Sequence, residues 1–181
     1  MRVFTAIGLP DAAADDLEQL QYDLPAGRAV PRENLHLTLS FLGDQDDTAL
    51  EAAHDALSNI RLPAFDVQMA GLDFLGGNKP SLICANVLPN PGLTDLAAKV
   101  RSTLHGAGLM FERKKFRPHV TLARLPKRVD PGDQVRLQHY ITRHAGFAPL
   151  PFTAGHFGLY RSELHHSGAV YTELVQYPLG A

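Results

Sequence analysis

Two short stretches of the sequence each carry a histidine and a threonine at the same spacing. Residues 35–42 read LHLTLSFL and residues 118–125 read PHVTLARL. Each stretch gives a histidine, an aliphatic residue, a threonine, a leucine and a small residue in that order, and each ends on a leucine. A repeat at this long spacing predicts two related lobes, because the repeats of solenoid proteins span only about 20–50 residues.

The pattern predicts that the polar side chains of each stretch lie on one face of a β-strand. Side chains alternate between the two faces of a strand, so His36 shares a face with Thr38, and His119 shares a face with Thr121. The intervening residues are aliphatic, which indicates that the opposite face packs in the core. If a pseudo-twofold axis relates the two lobes, two imidazoles and two hydroxyls line a single pocket.

Such a pocket suits phosphoryl transfer. In an in-line displacement the attacking and leaving oxygens lie on opposite sides of the phosphorus. One of His36 and His119 can accept a proton from the nucleophile while the other donates a proton to the leaving oxygen, and an imidazole pKa of about 6.5 permits both roles near neutrality. The hydroxyls of Thr38 and Thr121 can donate to the non-bridging oxygens. The alternative is a purely structural duplication, but a second copy in a matching context favours chemistry.

Charge is distributed unevenly along the chain. The sequence has 17 Lys and Arg against 19 Asp and Glu, yet residues 113–128 are rich in Lys and Arg and contain no acidic residue. This stretch is either a solvated basic surface or a local anion site. A chain with a net charge of −2 is not expected to coat long nucleic acid by charge alone. It can still bind one terminal phosphate and a few nucleotides.

The sequence lacks the features of several other classes of protein. No apolar run approaches the ~20 residues of a membrane span, and the N-terminus lacks the basic region and long apolar stretch of a signal peptide. We therefore expect a soluble cytoplasmic protein, and we expect a monomer because no spare apolar face is evident. The sequence contains no P-loop, dinucleotide-binding fingerprint or serine nucleophile elbow.

The cysteine and the remaining histidines predict no further chemistry. Cys84 is the only cysteine, so it cannot form an internal disulfide, and its apolar surroundings are typical of a small core residue. His165 and His166 are adjacent in one loop and point apart, and no cysteine or carboxylate cluster has ligand spacing, so neither a metal nor a cofactor is predicted. Four histidines on predicted helices are expected to be solvated or capping: His54, His105, His139 and His144.

Strand and helix patterns alternate along the chain, as in the α+β class. The predicted helices cover residues 11–22, 46–60, a segment with Leu93, Leu96, Val100 and Leu104 that ends at Gly106 and Gly108, and residues 131–144. The predicted strands cover residues 1–7, 35–42, 65–74, 81–87 and 119–124, followed by a closing hairpin of residues 147–160 and 169–175.

With their flanking residues, the two motifs resemble the 2H phosphoesterase superfamily. Within it the chain is similar to the bacterial and archaeal RNA 2′,3′-cyclic phosphodiesterases, also called 2′-5′ RNA ligases. The resemblance spans essentially the whole chain, and the late segment favours this branch over the eukaryotic ones. It rests on MRVFxAI at residues 1–7, ENLHLTL at 33–39, RPHVTLAR at 117–124, and LYRSEL at 159–164 followed by Tyr171.

The resemblance implies a duplicated, bilobal α+β fold with pseudo-twofold symmetry, in which two antiparallel sheets with outer helices surround a central groove. Residues 1–181 would form a single domain of two intertwined lobes, with one motif in each lobe, at residues 35–42 and 118–125. The resemblance also implies metal-independent hydrolysis of a 2′,3′-cyclic phosphate at an RNA 3′ end to a 2′-phosphate. The reverse reaction of the family joins RNA ends through a 2′-5′ bond.

The resemblance also implies roles for the motif residues. By motif position, His36 would be the acid that protonates the 3′ oxygen and His119 the base that activates water, although the symmetric motif does not fix this order. Thr38 and Thr121 would bind phosphate oxygens, as the strand pattern also suggests.

Three arginines and one phenylalanine are assigned less directly. The family pattern places Arg124 at the phosphate, but strand alternation turns it away from the histidine unless a bulge or the end of the strand intervenes. Phe41 holds the corresponding position in the first motif, where it either stacks on a base or, as its apolar face favours, packs in the core. Arg117 and Arg161 are candidates for RNA contact, and Arg161 could instead pair with Glu163. Tyr171 is expected to be structural.

Two other functions stay open. The same pair of histidines would serve a phosphodiesterase for small cyclic nucleotides or ADP-ribose 1″,2″-cyclic phosphate, and competition with RNA ends would distinguish these substrates. The other hypothesis is a non-catalytic module that binds RNA ends. In that case replacing His36 or His119 alters affinity modestly, and there is no activity to lose.

Overall fold

The computed structural model describes residues 1–77, 79–112, 115–166 and 168–180. These residues form four α-helices: α1 (Asp11–Tyr22), α2 (Asp47–Leu57), α3 (Pro91–Gly106) and α4 (Pro131–Arg143). They also form ten strands: β1 (Arg2–Gly8), β2 (Arg28–Ala29), β3 (His36–Asp44), β4 (Phe65–Val67), β5 (Met69–Leu75), β6 (Leu82–Val87), β7 (His119–Arg124), β8 (Phe152–Ala154), β9 (His156–His165) and β10 (Gly168–Pro178). A single 3₁₀ turn, Arg32–Asn34, precedes β3.

Side chains that bind free backbone N–H groups mark the start of three helices. Asp46, Asn90 and Asp130 each accept a hydrogen bond from an N–H in the first turn of α2, α3 and α4 respectively, which is the usual role of these residue types at a helix N-terminus. Both α3 and α4 also begin with a proline, whose fixed φ suits the first helical position. The four predicted helices are confirmed, although α2 ends at Leu57 rather than at residue 60.

Eight strands form one antiparallel sheet in the order β10-β9-β1-β3-β7-β6-β5, with β2 paired to β7. The two halves of this sheet meet at β3 and β7, where Leu37 faces Val120. These two residues hold the same position in the two His-x-Thr motifs. Antiparallel pairing of equivalent residues is the arrangement that a twofold axis produces, because each residue meets its own counterpart.

A second strand pairing repeats this twofold relation. β4 and β8 form a two-stranded sheet in which Asp66 faces Thr153, the middle residue of each strand. The hydroxyl of Thr153 donates to the carboxylate of Asp66 at 2.7 Å. The predicted α+β class with two antiparallel sheets and four helices is confirmed. The two halves of the large sheet, however, join into one eight-stranded sheet through the β3–β7 pair, and each half contains strands from both halves of the sequence.

Helices α1 and α3 cross from one half of the large sheet to the other. α1 follows β1 but contacts β7, and α3 follows β6 but contacts β3. α2 packs on α3, and α4 contacts β5. Each fully buried leucine stabilises this packing by about 1.5–3 kcal/mol, so the helices hold the two halves, and with them the two motifs, in one position. The fully buried leucines of the helices are Leu17, Leu57, Leu93, Leu96 and Leu104.

Two smaller expectations can be compared with the fold. Cys84 lies within β6 and has no exposed surface, and burial raises its pKa to about 11. It is therefore a core thiol, as predicted. Among the residues that the structure describes, no helix is long and apolar enough to cross a membrane.

Candidate active site

A groove of about 410 Å³ crosses the sheet where β3 meets β7. It is lined by the four polar residues of the two motifs, His36, Thr38, His119 and Thr121. In the antiparallel register of this pair, each histidine lies across from the threonine of the other motif. The structure thus brings both polar faces to one cavity, although the role of each residue in it stays a prediction.

The same backbone contact orients both imidazoles. The Nδ1 of His36 lies 2.7 Å from the carbonyl oxygen of Asn34, and the Nδ1 of His119 lies 2.7 Å from the carbonyl oxygen of Arg117. Because a carbonyl oxygen only accepts hydrogen bonds, each Nδ1 carries a hydrogen and donates it. Each neutral ring therefore has an unprotonated Nε2, which can accept a proton. In the first motif this Nε2 accepts a hydrogen bond from Thr38 Oγ1 at 2.9 Å.

A β-bulge follows the threonine in both motifs. The register of β3 against β1 skips Leu39, and the register of β7 against β6 skips Leu122. An extra residue of this kind reverses the alternation of the side chains beyond it. Phe41 and Arg124, which hold equivalent positions, therefore line the groove.

The bulges decide two of the predictions about side-chain direction. For Arg124, the bulge turns the side chain to the face of the strand that lines the groove, which a role in phosphate binding requires. For Phe41, the favoured interpretation as a core residue is wrong, because the residue is 60 % exposed. Strand alternation, counted without the bulge, placed it on the opposite face.

Burial disfavours the charged form of both imidazoles. It lowers the pKa of His36 to about 4, and the charges of His119 and Arg124 act in the same direction. Burial also lowers the pKa of His119, and the charge of Arg117 adds to this effect. Both rings are therefore mainly neutral at pH 7. An anion bound between them would oppose these effects and raise both pKa values.

The two rings have different surroundings. The ring of His36 lies 4.8 Å from that of Phe4 and meets the edge of Tyr171 at 5.2 Å, measured between ring centroids. His119 is less deeply buried and closer to solvent. Tyr171, expected to be only structural, also lines the groove. The first imidazole is thus enclosed by aromatic rings, and the second is accessible to water.

The side chains of the two other arginines predicted to contact RNA pair with carboxylates. The guanidinium of Arg117 forms an ion pair with Asp73 at 2.6 Å, and its backbone carbonyl holds His119. Arg161 pairs with Glu163 at 3.0 Å, the alternative stated for it from the sequence. As far as the described residues define the groove, neither arginine lines it. Their contact with RNA stays a prediction.

Arg28 lines the groove, although no sequence pattern pointed to it. It lies in β2, directly opposite Arg124 in the pairing with β7. A strand of two residues has no periodicity that sequence analysis could detect. Arg124 comes from the basic stretch of residues 113–128, in which Arg113 and Lys114 lie outside the described residues.

The other histidines give no sign of a metal site. Within residues 1–77, 79–112, 115–166 and 168–180, no three His, Cys, Asp or Glu side chains are grouped as metal ligands. Of the helix histidines expected to be solvated or capping, His54 and His139 are exposed, and three of the four contact aromatic rings. These contacts are His54 with Tyr177, His105 with Phe111, and His144 with Tyr140.

Comparison with known proteins identifies relatives whose similarity covers the part of the chain that contains both motifs. The model of the 2′-5′ RNA ligase superfamily matches residues 9–166. An RNA 2′,3′-cyclic phosphodiesterase from Methanocaldococcus jannaschii is 27% identical over 173 residues, which is 94% of this chain and 96% of that protein. The similarity therefore extends over nearly the full length of both proteins.

Two solved structures share the fold. TT0787 from Thermus thermophilus superposes with a TM-score of 0.80 at 28% identity, covering 98% of this chain and 97% of its own. LigT from Escherichia coli, in complex with 3′-AMP, superposes with a TM-score of 0.76 at 25% identity, covering 99% of this chain and 98% of its own.

Proposed function

The chain belongs to the 2′-5′ RNA ligase superfamily, and from this premise we propose that it hydrolyses 2′,3′-cyclic phosphate ends of RNA to 2′-phosphates. One observation carries the proposal: two imidazoles, each with its Nδ1 hydrogen fixed by a backbone carbonyl, line one groove. The relative from M. jannaschii is an RNA 2′,3′-cyclic phosphodiesterase, which supports the same substrate.

The reaction uses one imidazole on each side of the phosphorus. A water oxygen attacks the phosphorus in line with its bond to O3′. The Nε2 of His119 accepts a proton from this water as the new bond to phosphorus forms. The protonated Nε2 of His36 gives its proton to O3′ as the old bond breaks. The product carries a 2′-phosphate and a 3′-hydroxyl, and the two histidines return to their starting forms by proton exchange with solvent.

The surroundings of the two rings favour this order of acid and base. The base must meet a water molecule from solvent, and His119 is the less enclosed ring. The acid must protonate a substrate oxygen with little competition from water, and His36 lies against Phe4 and Tyr171. In the free protein the pKa of His36 is low. The negative charge of bound phosphate raises this pKa, so His36 is protonated when the substrate is bound and can act as the acid.

Three side chains bind the non-bridging oxygens in this proposal. The hydroxyl of Thr121 donates one hydrogen bond to the phosphate. The hydroxyl of Thr38 does the same once His36 is protonated, because a protonated Nε2 no longer accepts its hydrogen. The guanidinium of Arg124 adds charge-assisted donors in a planar geometry that matches phosphate. Donors that are already in place stabilise the charge that develops in the transition state without reorganising.

The terminal base stacks on Phe41 in the same pose. The ring of Phe41 is exposed in the groove and lies 5.8 Å from the ring of Phe4 behind it. Stacking of a base on an aromatic side chain contributes about 1–3 kcal/mol. The structure of E. coli LigT in complex with 3′-AMP supports the binding of a nucleotide by a protein of this fold.

The test is incubation of a short RNA that ends in a 2′,3′-cyclic phosphate with the protein and EDTA. We expect a 2′-phosphate, which ³¹P NMR distinguishes from the 3′ isomer. A 3′-phosphate product, no turnover, or strict dependence on added metal contradicts the proposal. Nucleoside cyclic phosphates and ADP-ribose 1″,2″-cyclic phosphate serve as competitors. A higher kcat/KM for one of them than for the RNA would identify that compound, rather than RNA, as the preferred substrate.

The same displacement would join two RNA ends. With a 5′-hydroxyl in place of water, attack on the cyclic phosphate forms a 2′-5′ phosphodiester and releases the same 3′-hydroxyl. A mixture of a cyclic-phosphate fragment and a 5′-hydroxyl fragment, annealed to a splint, should give a longer product that resists nucleases specific for 3′-5′ bonds. A product that these nucleases cleave fully at the junction would contradict the 2′-5′ linkage.

A further inference from the structure

Basic side chains continue from the groove past one end of β7. Arg28 and Arg124 face each other across the β2–β7 pair, and both line the groove. Neither guanidinium pairs with a carboxylate among the described residues. Arg28 lies against Gly168 at the start of β10, where a Cβ would come within 3.0 Å of the guanidinium. Arg28 is therefore held at the wall of the groove with its charge available.

A second cavity, of about 450 Å³, adjoins this end of the sheet. It begins beyond the last residues of the β6–β7 ladder, where Leu82 faces Arg124 and the N–H of Leu125 donates to the carbonyl of Ser81 at 2.8 Å. Leu82 and Arg124 line the groove, and their near neighbours in the chain, Pro80 and Lys127, line the second cavity. Three cationic side chains line the second cavity: Lys79, Lys127 and Arg128.

The carboxylates near the second cavity are engaged elsewhere. Asp130 accepts a hydrogen bond from the N–H of Gly132 at the start of α4. Asp133 pairs with Arg136 on the same helix. Among the described residues, the lining of the second cavity includes no acidic side chain. The charged side chains among the described lining residues are therefore all cationic, which favours the binding of anions.

We propose that Arg28 and the cations of the second cavity bind the backbone phosphates of the RNA strand on the 5′ side of the cyclic end. The idea rests on the proposed function and adds to it that oligonucleotide ends are preferred over mononucleotides. With the cyclic phosphate at Arg124, the first internucleotide phosphate contacts Arg28. The second internucleotide phosphate reaches the second cavity, where Lys127, Arg128 and Lys79 lie.

The chemistry of these side chains determines which part of the RNA they bind. Lysine and arginine side chains along a groove bind phosphates without reading bases. Such binding releases counterions, so it weakens as salt rises. A mononucleotide ends within the first groove and does not reach the second cavity. We therefore expect a preference for longer RNA ends that weakens as the salt concentration rises and does not depend on the RNA sequence.

The experiment measures kcat/KM for a trinucleotide with a 2′,3′-cyclic phosphate and for the matching mononucleotide. In the unaltered protein at low salt we expect a ratio of about tenfold or more in favour of the trinucleotide. Lys127→Ala/Arg128→Ala should lower this ratio about fivefold. The slope of log(kcat/KM) against log[salt] for the trinucleotide should fall by about 0.7 for each phosphate that the variant no longer binds.

A matched double variant controls for net charge. Lys99→Ala/Arg143→Ala removes the same charge from α3 and α4, at positions that line neither cavity as the structure describes them. We expect this control to leave the ratio unchanged. An equal fall in the control, or a ratio near one in the unaltered protein, overturns the proposal.

Binding measured separately keeps the two proposals apart. A fluorescent trinucleotide with a 3′-phosphate is titrated against each protein at low salt. If neither cyclic substrate is hydrolysed, the proposed function fails, whereas the phosphate-binding surface still requires weaker binding by Lys127→Ala/Arg128→Ala than by the control variant. Equal affinities for the two double variants overturn the surface regardless of activity.

Discussion

The two His-x-Thr strands share one backbone design and differ in what surrounds it. In both β3 and β7 the histidine donates its Nδ1 hydrogen to the carbonyl two residues earlier, and the leucine after the threonine is bulged out of the ladder. Beyond the bulge, one strand has Phe41 and the other has Arg124. His36 lies among aromatic rings, whereas His119 lies nearer to solvent.

This contrast teaches how a duplicated chain can serve an asymmetric substrate. In the proposed reaction a proton moves on each side of the phosphorus, and both strands have an oriented imidazole and a hydroxyl. The proposed substrate has a base on one side only, and the two strands differ at the position after the bulge. In this proposal the repeated features serve the chemical step, and the features that differ serve substrate binding.

The largest expected effect comes from removing either histidine. His36→Ala and His119→Ala should each lower kcat/KM by a factor of about 10²–10⁴, because each removes one proton transfer. Since both act in the same step, the double variant should lose little more than the worse single variant. Circular dichroism and thermal melting check that the fold is retained. Losses that multiply in the double variant would mean that the two histidines act independently.

Removing Arg124 should have the next largest effect. Arg124→Ala takes away donors to the developing charge, and we expect a loss of about 10²–10³ in kcat. Arg124→Lys keeps the charge but loses the planar pair of donors, so it should recover only part of the rate. Arg136→Ala, on the surface of α4, removes the same charge as a control. A loss of equal size in that control would show that the effect is not local.

Phe41 should affect binding rather than the chemical step. Phe41→Ala removes a stacking contact of about 1–3 kcal/mol, so we expect KM to rise with little change in kcat. Phe41→Leu keeps an apolar side chain but has no ring, so its KM should lie between that of the unaltered protein and that of Phe41→Ala. Steady-state kinetics on a cyclic-phosphate oligonucleotide separate the parameters. A fall in kcat with KM unchanged would show that Phe41, like Arg124, acts in the chemical step, and it would contradict a role for Phe41 in binding alone.

The smallest expected effect is the dependence on pH. The profile of kcat/KM reports the free enzyme, in which the pKa of His36 is about 4 and that of His119 is also lowered. The active form needs one protonated and one neutral ring, so the optimum should lie below pH 6.5, with a fall of about tenfold per pH unit on the alkaline side. The optimum of kcat should lie higher, because bound phosphate raises the pKa of the acid. An optimum of kcat/KM above pH 7 would contradict this.

The sequence was sufficient to predict the parts of the site that follow from strand alternation. His36 and Thr38, like His119 and Thr121, share a face because they lie before the bulge, where the alternation is regular. Their duplication also predicted two related lobes whose polar faces line one pocket. Local pattern and repetition therefore predict which four polar side chains of the motifs share the groove.

Features that depend on backbone irregularity could not be predicted from the pattern. The bulges fall at leucines followed by small residues, which a core-facing strand accepts with or without a bulge. Strand alternation therefore favoured a buried Phe41, and only its position equivalent to Arg124 suggested a contact with a base. The predicted strand 65–74 divides at Gln68 into β4 and β5, which belong to different sheets. Arg28 was missed because β2 exists only through its pairing with β7. These features are set by tertiary contacts.

A crystal structure with the 2′-phosphate product bound tests the central claim most directly, because that claim is the convergence of two imidazoles on one phosphate. We expect the Nε2 atoms of His36 and His119 to lie on opposite sides of the same phosphate group, each within about 2.6–3.2 Å of one of its oxygens or linked to it through one water. A phosphate bound by only one of the two rings, with the other directed away from it, would contradict the account.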